Sequence, residues 1–154
     1  MPDVSPARSD AREVHVRAAG AADAARLAEL SGQLGYPTTT ADILRRLMSL
    51  LTDQAHGVFL AEAANEVIGW LHVQERRVLE HDFVAEVTAL VVDERSRSRG
   101  VGQVLMGRAE EWARLRGLGA VVLRSNVIRE RAHVFYERLG YEVIKKQKVF
   151  RKAL

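Results

Sequence analysis

One stretch, "FVAEVTALVVDERSRSRGVGQVLMGRAEEWARLRGLG", constrains this chain more than any other. It opens rich in β-branched residues and becomes wholly apolar over Ala89–Val92, the mark of a strand end buried on both faces. It closes with Val101, Val104, Leu105, Trp112 and Leu115 on one helical stripe, stopped by Gly117. Between the two lies "RSRSRGVGQ", Arg95 to Gln103. A buried strand must therefore run through a short basic loop straight into a helix. That sequence of elements calls for helices layered on a sheet.

The remaining segments fit such a layering. "EVHVRAA" alternates and predicts a first strand. Ala21–Leu34 carries Leu27, Leu30 and Leu34 at helical spacing, and Gly35-Tyr36-Pro37 breaks it. Thr40 is the expected N-cap of a second helix, with Ile43, Leu44, Leu47, Leu50 and Leu51 on one face. "VFLAE" and "EVIGWLHVQERRVL" predict a hairpin joined at "AAN". After the loop and its helix, "AVVLRS" predicts a buried strand. Ala132, Phe135, Tyr136 and Leu139 predict a last helix ending at Gly140. "YEVIKKQKVFRKAL" predicts one or two final strands. The expected class is mixed α/β: a single sheet of six to seven strands with about four helices packed on it.

Bulk properties narrow the function. A chain of 154 residues suits one domain with a sizeable core. We expect a polar tail over residues 1–11 and a single domain over 12–154. The absence of cysteine excludes disulfides, thiolate metal sites and a cysteine nucleophile. The His, Asp and Glu residues show no metal-binding spacing, so no metal is expected. A net charge of +3 is too small for a nucleic-acid coat and suits an anionic small ligand. No apolar run reaches the roughly 18 residues of a membrane span, and the N-terminus lacks a signal-peptide core. A cytoplasmic protein without membrane or nucleic-acid partners is the expectation.

The loop has two readings from its residues alone. It is a solvated basic turn, or it is a cradle for phosphate. Gly100 and Gly102 let backbone approach a ligand closely, Arg97 and Arg99 add charge, and the following helix offers unpaired N–H groups. No Gly-Lys-Ser/Thr ends the run, and the three-glycine dinucleotide spacing is missing.

"Arg97-Ser98-Arg99-Gly100-Val101-Gly102" resembles the Gln/Arg-x-x-Gly-x-Gly/Ala signature of the GCN5-related N-acetyltransferases, the GNAT superfamily. "EVTALVVDE" before it resembles that family's central strand, and "SNVIRERAHVFYERLGYE" after it resembles the closing strand–helix–strand unit. The resemblance runs from about Glu13 to Leu154. Many relatives carry proline where this chain has Glu94. The resemblance implies acetyl-CoA as cofactor and a primary amine, on a small molecule or a peptide, as acceptor. It implies that Leu90, Val91 and Val92 pair with the pantetheine arm. It implies that the pyrophosphate sits at Arg97, Ser98, Arg99, Gly100, Val101, Gly102 and Gln103, and that Asn126 touches the pantetheine or adenosine arm. His133 either reaches the cofactor or packs. Relatives are commonly dimers, so a homodimer is expected.

Acetyl transfer to an amine needs a base, because an alkyl ammonium with pKa near ~10 is no nucleophile at neutral pH. It also needs N–H donors for the developing oxyanion and a proton for the departing thiolate. The resemblance implies Tyr136 as the acid and Glu86 as the base, directly or through water, in a ternary complex. Strand alternation would put Glu86, Thr88, Leu90 and Val92 on one side. Tyr36, Trp70 and His72 are candidates to line the acceptor pocket. The same residues also admit a coenzyme A-binding regulatory module without turnover.

Overall fold

The computed structural model describes residues 13–154 and divides the chain into two compact units, Met1–Leu123 and Arg124–Leu154. The expected tail at 1–11 lies outside the described residues. The first unit is a five-stranded sheet in the order β1-β2-β3-β4-β5. Its strands are β1 (His15–Ala18), β2 (His56–Ala63), β3 (Glu66–Arg76), β4 (Val84–Val92) and β5 (Val121–Leu123). Neighbours are antiparallel except β4 and β5, which run parallel. Its helices are α1 (Ala24–Gln33), α2 (Thr40–Leu51) and α3 (Val101–Leu115). The second unit holds α4 (Glu130–Arg138).

Local chemistry explains most boundaries. Ala64 and Asn65 take positive φ values of 51° and 61°, the turn that matches strand twist in a two-residue hairpin between β2 and β3. α3 ends with Gly117 at φ 70°, where Leu118 N–H bonds Ala113 O at 3.0 Å and Gly117 N–H bonds Arg114 O at 3.0 Å. The N-cap of α2 is Thr39, not Thr40: its hydroxyl accepts from Asp42 N–H at 3.1 Å. The adjacent threonines offer the same chemistry, and the bond to the third following amide selects one.

Two layers of core flank the sheet. Leu27, Leu30 and Leu47 from α1 and α2 pack with Val58, Leu60, Val67 and Val91 on one face. On the other face α3 lies close: an added Cβ at Gly69 would stand 2.9 Å from Val91 O, 3.2 Å from Leu105 and 3.3 Å from Val101. The predicted stripes are wider than the buried ones. Leu44, Leu51, Val104 and Leu115 are exposed, because each flanks rather than centres its helix's buried face.

The strand count differs from expectation. Residues 141–154 form no strand, so the described sheet has five strands rather than six or seven. Alternating apolar residues specify a face, but a strand exists only by pairing. The second unit contains no other strand to pair with.

Candidate active site

β4 and β5 form a fork. Their pairing stops at Val87 and Leu123, so β4 runs on through Thr88–Val92 with no strand on that edge among the described residues. The free edge leads directly into the basic loop. Gly100 caps α3 at φ 79°, and Ser98 also sits in the left-handed region at φ 63°, a strained setting for a residue with a side chain. The first intrahelical bond here runs from Val104 N–H to Gly100 O at 3.1 Å. The amides of Val101, Gly102 and Gln103 therefore lack helix partners. Arg97 folds back, its Nε donating to Val92 O at 3.3 Å. Fork edge and amide cluster together form a track for an extended ligand with an anionic end.

A buried aspartate fixes where that track turns. Asp93 is 1% exposed, and its N–H bonds Ile68 O at 2.8 Å. Its carboxylate accepts from Arg26 at 2.6 Å, from the Arg95 guanidinium at 3.2 Å and from Arg95 N–H at 3.1 Å. The Arg95 side chain is the largest of the influences that hold this carboxyl well below the usual carboxylate range, against the opposing effect of burial. Gln33 Oε1 ties the end of α1 to Glu94 N–H at 3.0 Å. An aspartate just after an apolar strand end is the sequence signal for this anchor; its arginine partner, 67 residues away, has none.

The face of the sheet toward α1 and α2 carries the acceptor-side candidates. A β-bulge lies between the pairs His72–Ala89 and Val73–Val87, and Thr88 is the inserted residue. The bulge overturns the simple alternation. Glu86 lies opposite Gln74 and shares its face with Ala89 and Val91, whereas Leu90 and Val92, opposite Leu71 and Gly69, face α3. Glu86 is half-buried and its Oε2 pairs with Arg76 at 3.2 Å. His72 bonds both His56 and Thr88. Trp70 packs against the α1/α2 core with its indole Nε1 buried and unpartnered among the described residues, while Tyr36 stands 66% exposed beyond α1. An open cleft of about 730 Å3, lined by His81, Asp82 and Arg116 among others, lies at the far end of the sheet from the loop.

In the second unit, Asn126 Oδ1 accepts from Ile128 N–H at 3.1 Å, and Asn126 O lies 2.9 Å from His133 Nε2. Both residues thus organise the turn that starts α4. Tyr136 sits at the other end of α4. Its carbonyl accepts from Tyr141 N–H at 3.0 Å, and its ring meets those of Phe135 and Tyr141 edge-on. Burial raises the pKa of its hydroxyl, with the Arg129 charge acting the other way. A tyrosine kept protonated in this way can donate. Sequence reading missed Asp93, Arg26, His56 and Thr88. No group of three or more His, Asp or Glu among the described residues is placed to hold a metal ion.

A forked mixed sheet whose fourth strand opens into an amide-lined basic loop defines a class of proteins that hold an extended, phosphate-ended ligand. The model of the Acetyltransferase (GNAT) family matches residues 23–141, and the chain belongs to that family. An aminoalkylphosphonate N-acetyltransferase of Salmonella typhimurium is 37% identical over 84 residues, 54% of each chain. An uncharacterized N-acetyltransferase of Methanocaldococcus jannaschii is 33% identical over 95 residues, 60% of this chain and 42% of its own. The chain thus spans about half the length of these curated relatives. The aminoglycoside N-acetyltransferase AAC(6')-Iy, solved with CoA, superposes with a TM-score of 0.82 at 18% identity, covering 92% of this chain and 96% of that one. It shows the same fold.

Proposed function

We propose that this protein is an acetyl-CoA-dependent N-acetyltransferase that moves the acetyl group directly to a primary amine in a ternary complex. The observation that carries the reading is the fork: a free β4 edge at Leu90–Val92 running into the unpaired amides of Val101, Gly102 and Gln103. On this reading the pantetheine amides pair with that edge. The pyrophosphate rests on Ser98–Gln103, with Arg97 and Arg99 supplying charge. Asn126 and His133 shape the turn that borders the cofactor arm. Acetyl-CoA supplies the activated acyl group as a thioester. Glu86 uses Oε2 for Arg76 and offers Oε1 to the acceptor amine or a water. Tyr136 protonates the departing thiolate.

The relatives acting on aminoalkylphosphonates and aminoglycosides favour a small amine as acceptor. Trp70 fits the pocket role through its unpartnered indole N–H, and Tyr36 borders the same side through the α1–α2 connection. Residues 12–154 work as one catalytic domain, as a homodimer in the cytoplasm. No described helix is long and apolar enough to cross a membrane.

The test is thermal unfolding with and without acetyl-CoA, with NAD as control. Ligand at ~100 times its dissociation constant adds about 2.7 kcal/mol and moves the midpoint by several degrees. Acetyl-CoA alone should give the shift, and an amine screen with thiol detection should then give turnover. No shift at saturation sinks the cofactor assignment. A shift without turnover on any amine turns the reading to a CoA-binding regulatory module.

A further inference from the structure

A hydrogen-bonded line crosses three strands on the face toward α1 and α2. Thr88 Oγ1 lies 2.8 Å from His72 Nδ1. His72 Nε2 lies 2.9 Å from His56 Nδ1. His56 Nε2 lies 3.7 Å from Asp53 Oδ2. The members come from β4, β3, β2 and the turn after α2. His72 pairs with Val58 and His56 with Gln74, so the imidazoles are diagonal neighbours on one face.

With both rings uncharged, the contacts allow two directions. In the first, Thr88 donates to His72 Nδ1, His72 Nε2–H donates to His56 Nδ1, and His56 Nε2–H faces the Asp53 carboxylate. In the second, His56 donates to His72 and His72 to Thr88, whose hydrogen goes to the His72 carbonyl 3.3 Å away. The second direction turns a bare imidazole nitrogen toward the Asp53 carboxylate, which is repulsive. The first makes both hydrogen bonds of the line and turns the outer N–H toward an anion 3.7 Å away. Burial, with the His56 charge adding to it, lowers the His72 pKa to about 4, so this ring passes a proton at neutral pH rather than keeping one.

The outer end of the line lies where the chemistry is expected. Thr88 is exposed, and it is the first β4 residue beyond the last β5 pair, Val87–Leu123. A ligand anchored by phosphate beyond Val92 and laid along the free edge runs back toward Thr88. Its far end, the thioester end of acetyl-CoA, comes to the apex of the fork.

We infer that Thr88, His72, His56 and Asp53 form a proton relay that carries the acceptor's ammonium proton from the apex of the fork to solvent. This rests on the transferase reading above and deepens it. The net reaction converts an alkyl ammonium and acetyl-CoA into an N-acetyl amine, free CoA thiol and one proton. An ammonium hydrogen passes to Thr88 Oγ1 as the Thr88 hydrogen passes to His72 Nδ1. The His72 Nε2 hydrogen passes to His56 Nδ1, and the His56 Nε2 hydrogen leaves to water beside the Asp53 carboxylate. The freed nitrogen pair attacks the carbonyl carbon. The N–C bond forms and the C–S bond breaks; the second N–H proton passes to Glu86, the base proposed above, and on to water, while sulfur takes the Tyr136 proton, which water restores.

Thr88 touches the acceptor; His72, His56 and Asp53 act through it as positioning residues. The charges around the line are few. Arg77 lies within electrostatic reach of Asp53, and Glu86 with its partner Arg76 shares the face, separated from His56 by the neutral Gln74. Glu86 draws the ammonium in, and the relay gives its proton a way out.

The test has two arms, both on the full chain. Long-range 1H–15N spectra of 15N-histidine-labelled protein, from pH 6 to 9, should show His72 as the Nε2–H tautomer, uncharged throughout. Thr88→Val should move the His72 Nδ1 resonance. A His72 that carries Nδ1–H, or titrates near the ordinary ~6.5, overturns the relay. In the kinetic arm an aminoalkylphosphonate and an aminoglycoside are the probes. Thr88→Val and His72→Asn should each lower kcat by about 100-fold with KM for acetyl-CoA unchanged, and Thr88→Ser should retain most of the rate. Wild-type kcat in Thr88→Val overturns the relay. A wild type that binds acetyl-CoA yet acetylates neither probe counts against the transferase reading instead, and the spectra still decide the direction of the line.

Discussion

The two halves of β4 solve different problems with different parts of the polypeptide. From Leu90 onward the strand offers backbone: a free edge, then the amides of a loop pinned by Asp93 between Arg26 and Arg95. From Glu86 to Thr88 it offers side chains: a carboxylate paired with Arg76 and a hydroxyl bonded to His72. Backbone recognition needs a fixed shape and tolerates many side chains. Side-chain chemistry needs particular residues and tolerates a local fault in the strand. The contrast suggests that cofactor binding and acceptor activation can be damaged separately.

The largest test of that separation is Gly102→Trp. The indole fills the space in front of the loop amides, so the acetyl-CoA stabilisation of several degrees should vanish while the apo midpoint stays near wild type. Retained stabilisation would place the phosphate elsewhere. Next is Asp93→Asn, which leaves Arg26 facing a neutral partner. Breaking a buried pair costs roughly 3–5 kcal/mol; Arg95 is largely exposed and Glu66 also receives Arg26, so about 3 kcal/mol is expected by denaturant unfolding. The sign in pH follows from the lowered native pKa. The stabilisation is complete above the unfolded-state value near ~4 and is lost as pH falls below it, so wild type and variant should converge in acid.

Tyr136→Phe should lower kcat by about 100-fold, equivalent to about 2.7 kcal/mol in the barrier, with acetyl-CoA affinity unchanged. Unchanged kcat, with chemistry shown to limit the rate, would remove Tyr136 from the acid role. Gly69→Ala should cost about 2 kcal/mol, because the new methyl meets Val91 O at 2.9 Å and presses α3 away from the sheet. It should weaken acetyl-CoA binding and leave the His72–His56 spectrum alone. If both change together, the two halves of β4 are not independent.

The backbone half was legible in the sequence. An apolar strand end, a basic glycine loop and an amphipathic helix follow one another, and local order is what sequence patterns encode. The helix-ending glycines at 117 and 140 also stand where the patterns put them. The side-chain half was not legible, because it depends on a single inserted residue. Alternation counted through Thr88 assigns Glu86 and Leu90 to one side; the bulge sends them to opposite sides. His56 and His72 are 16 residues apart, and only the register of β2 on β3 brings their rings together. Residues 141–154 show the converse: an alternating pattern is present, yet no ladder forms.

The extra residue in β4 also governs how this scaffold can diverge. On the proposed reading, exchanges at Asp53, His56, His72 or Glu86 change the amine-facing chemistry and leave the polypeptide frame intact, so acceptor preference can drift by point substitution. Deleting Thr88 instead makes Val87 and Ala89 chain neighbours opposite Val73 and His72, so the bulge is lost and the downstream strand keeps its register. Val91 would still face α1 and α2 and Leu90 would still face α3, so both cores would survive while the hydroxyl bonded to His72 disappears. A mutational library over this strand should therefore recover folded proteins lacking Thr88, with the chemistry at the bulge lost and the frame kept.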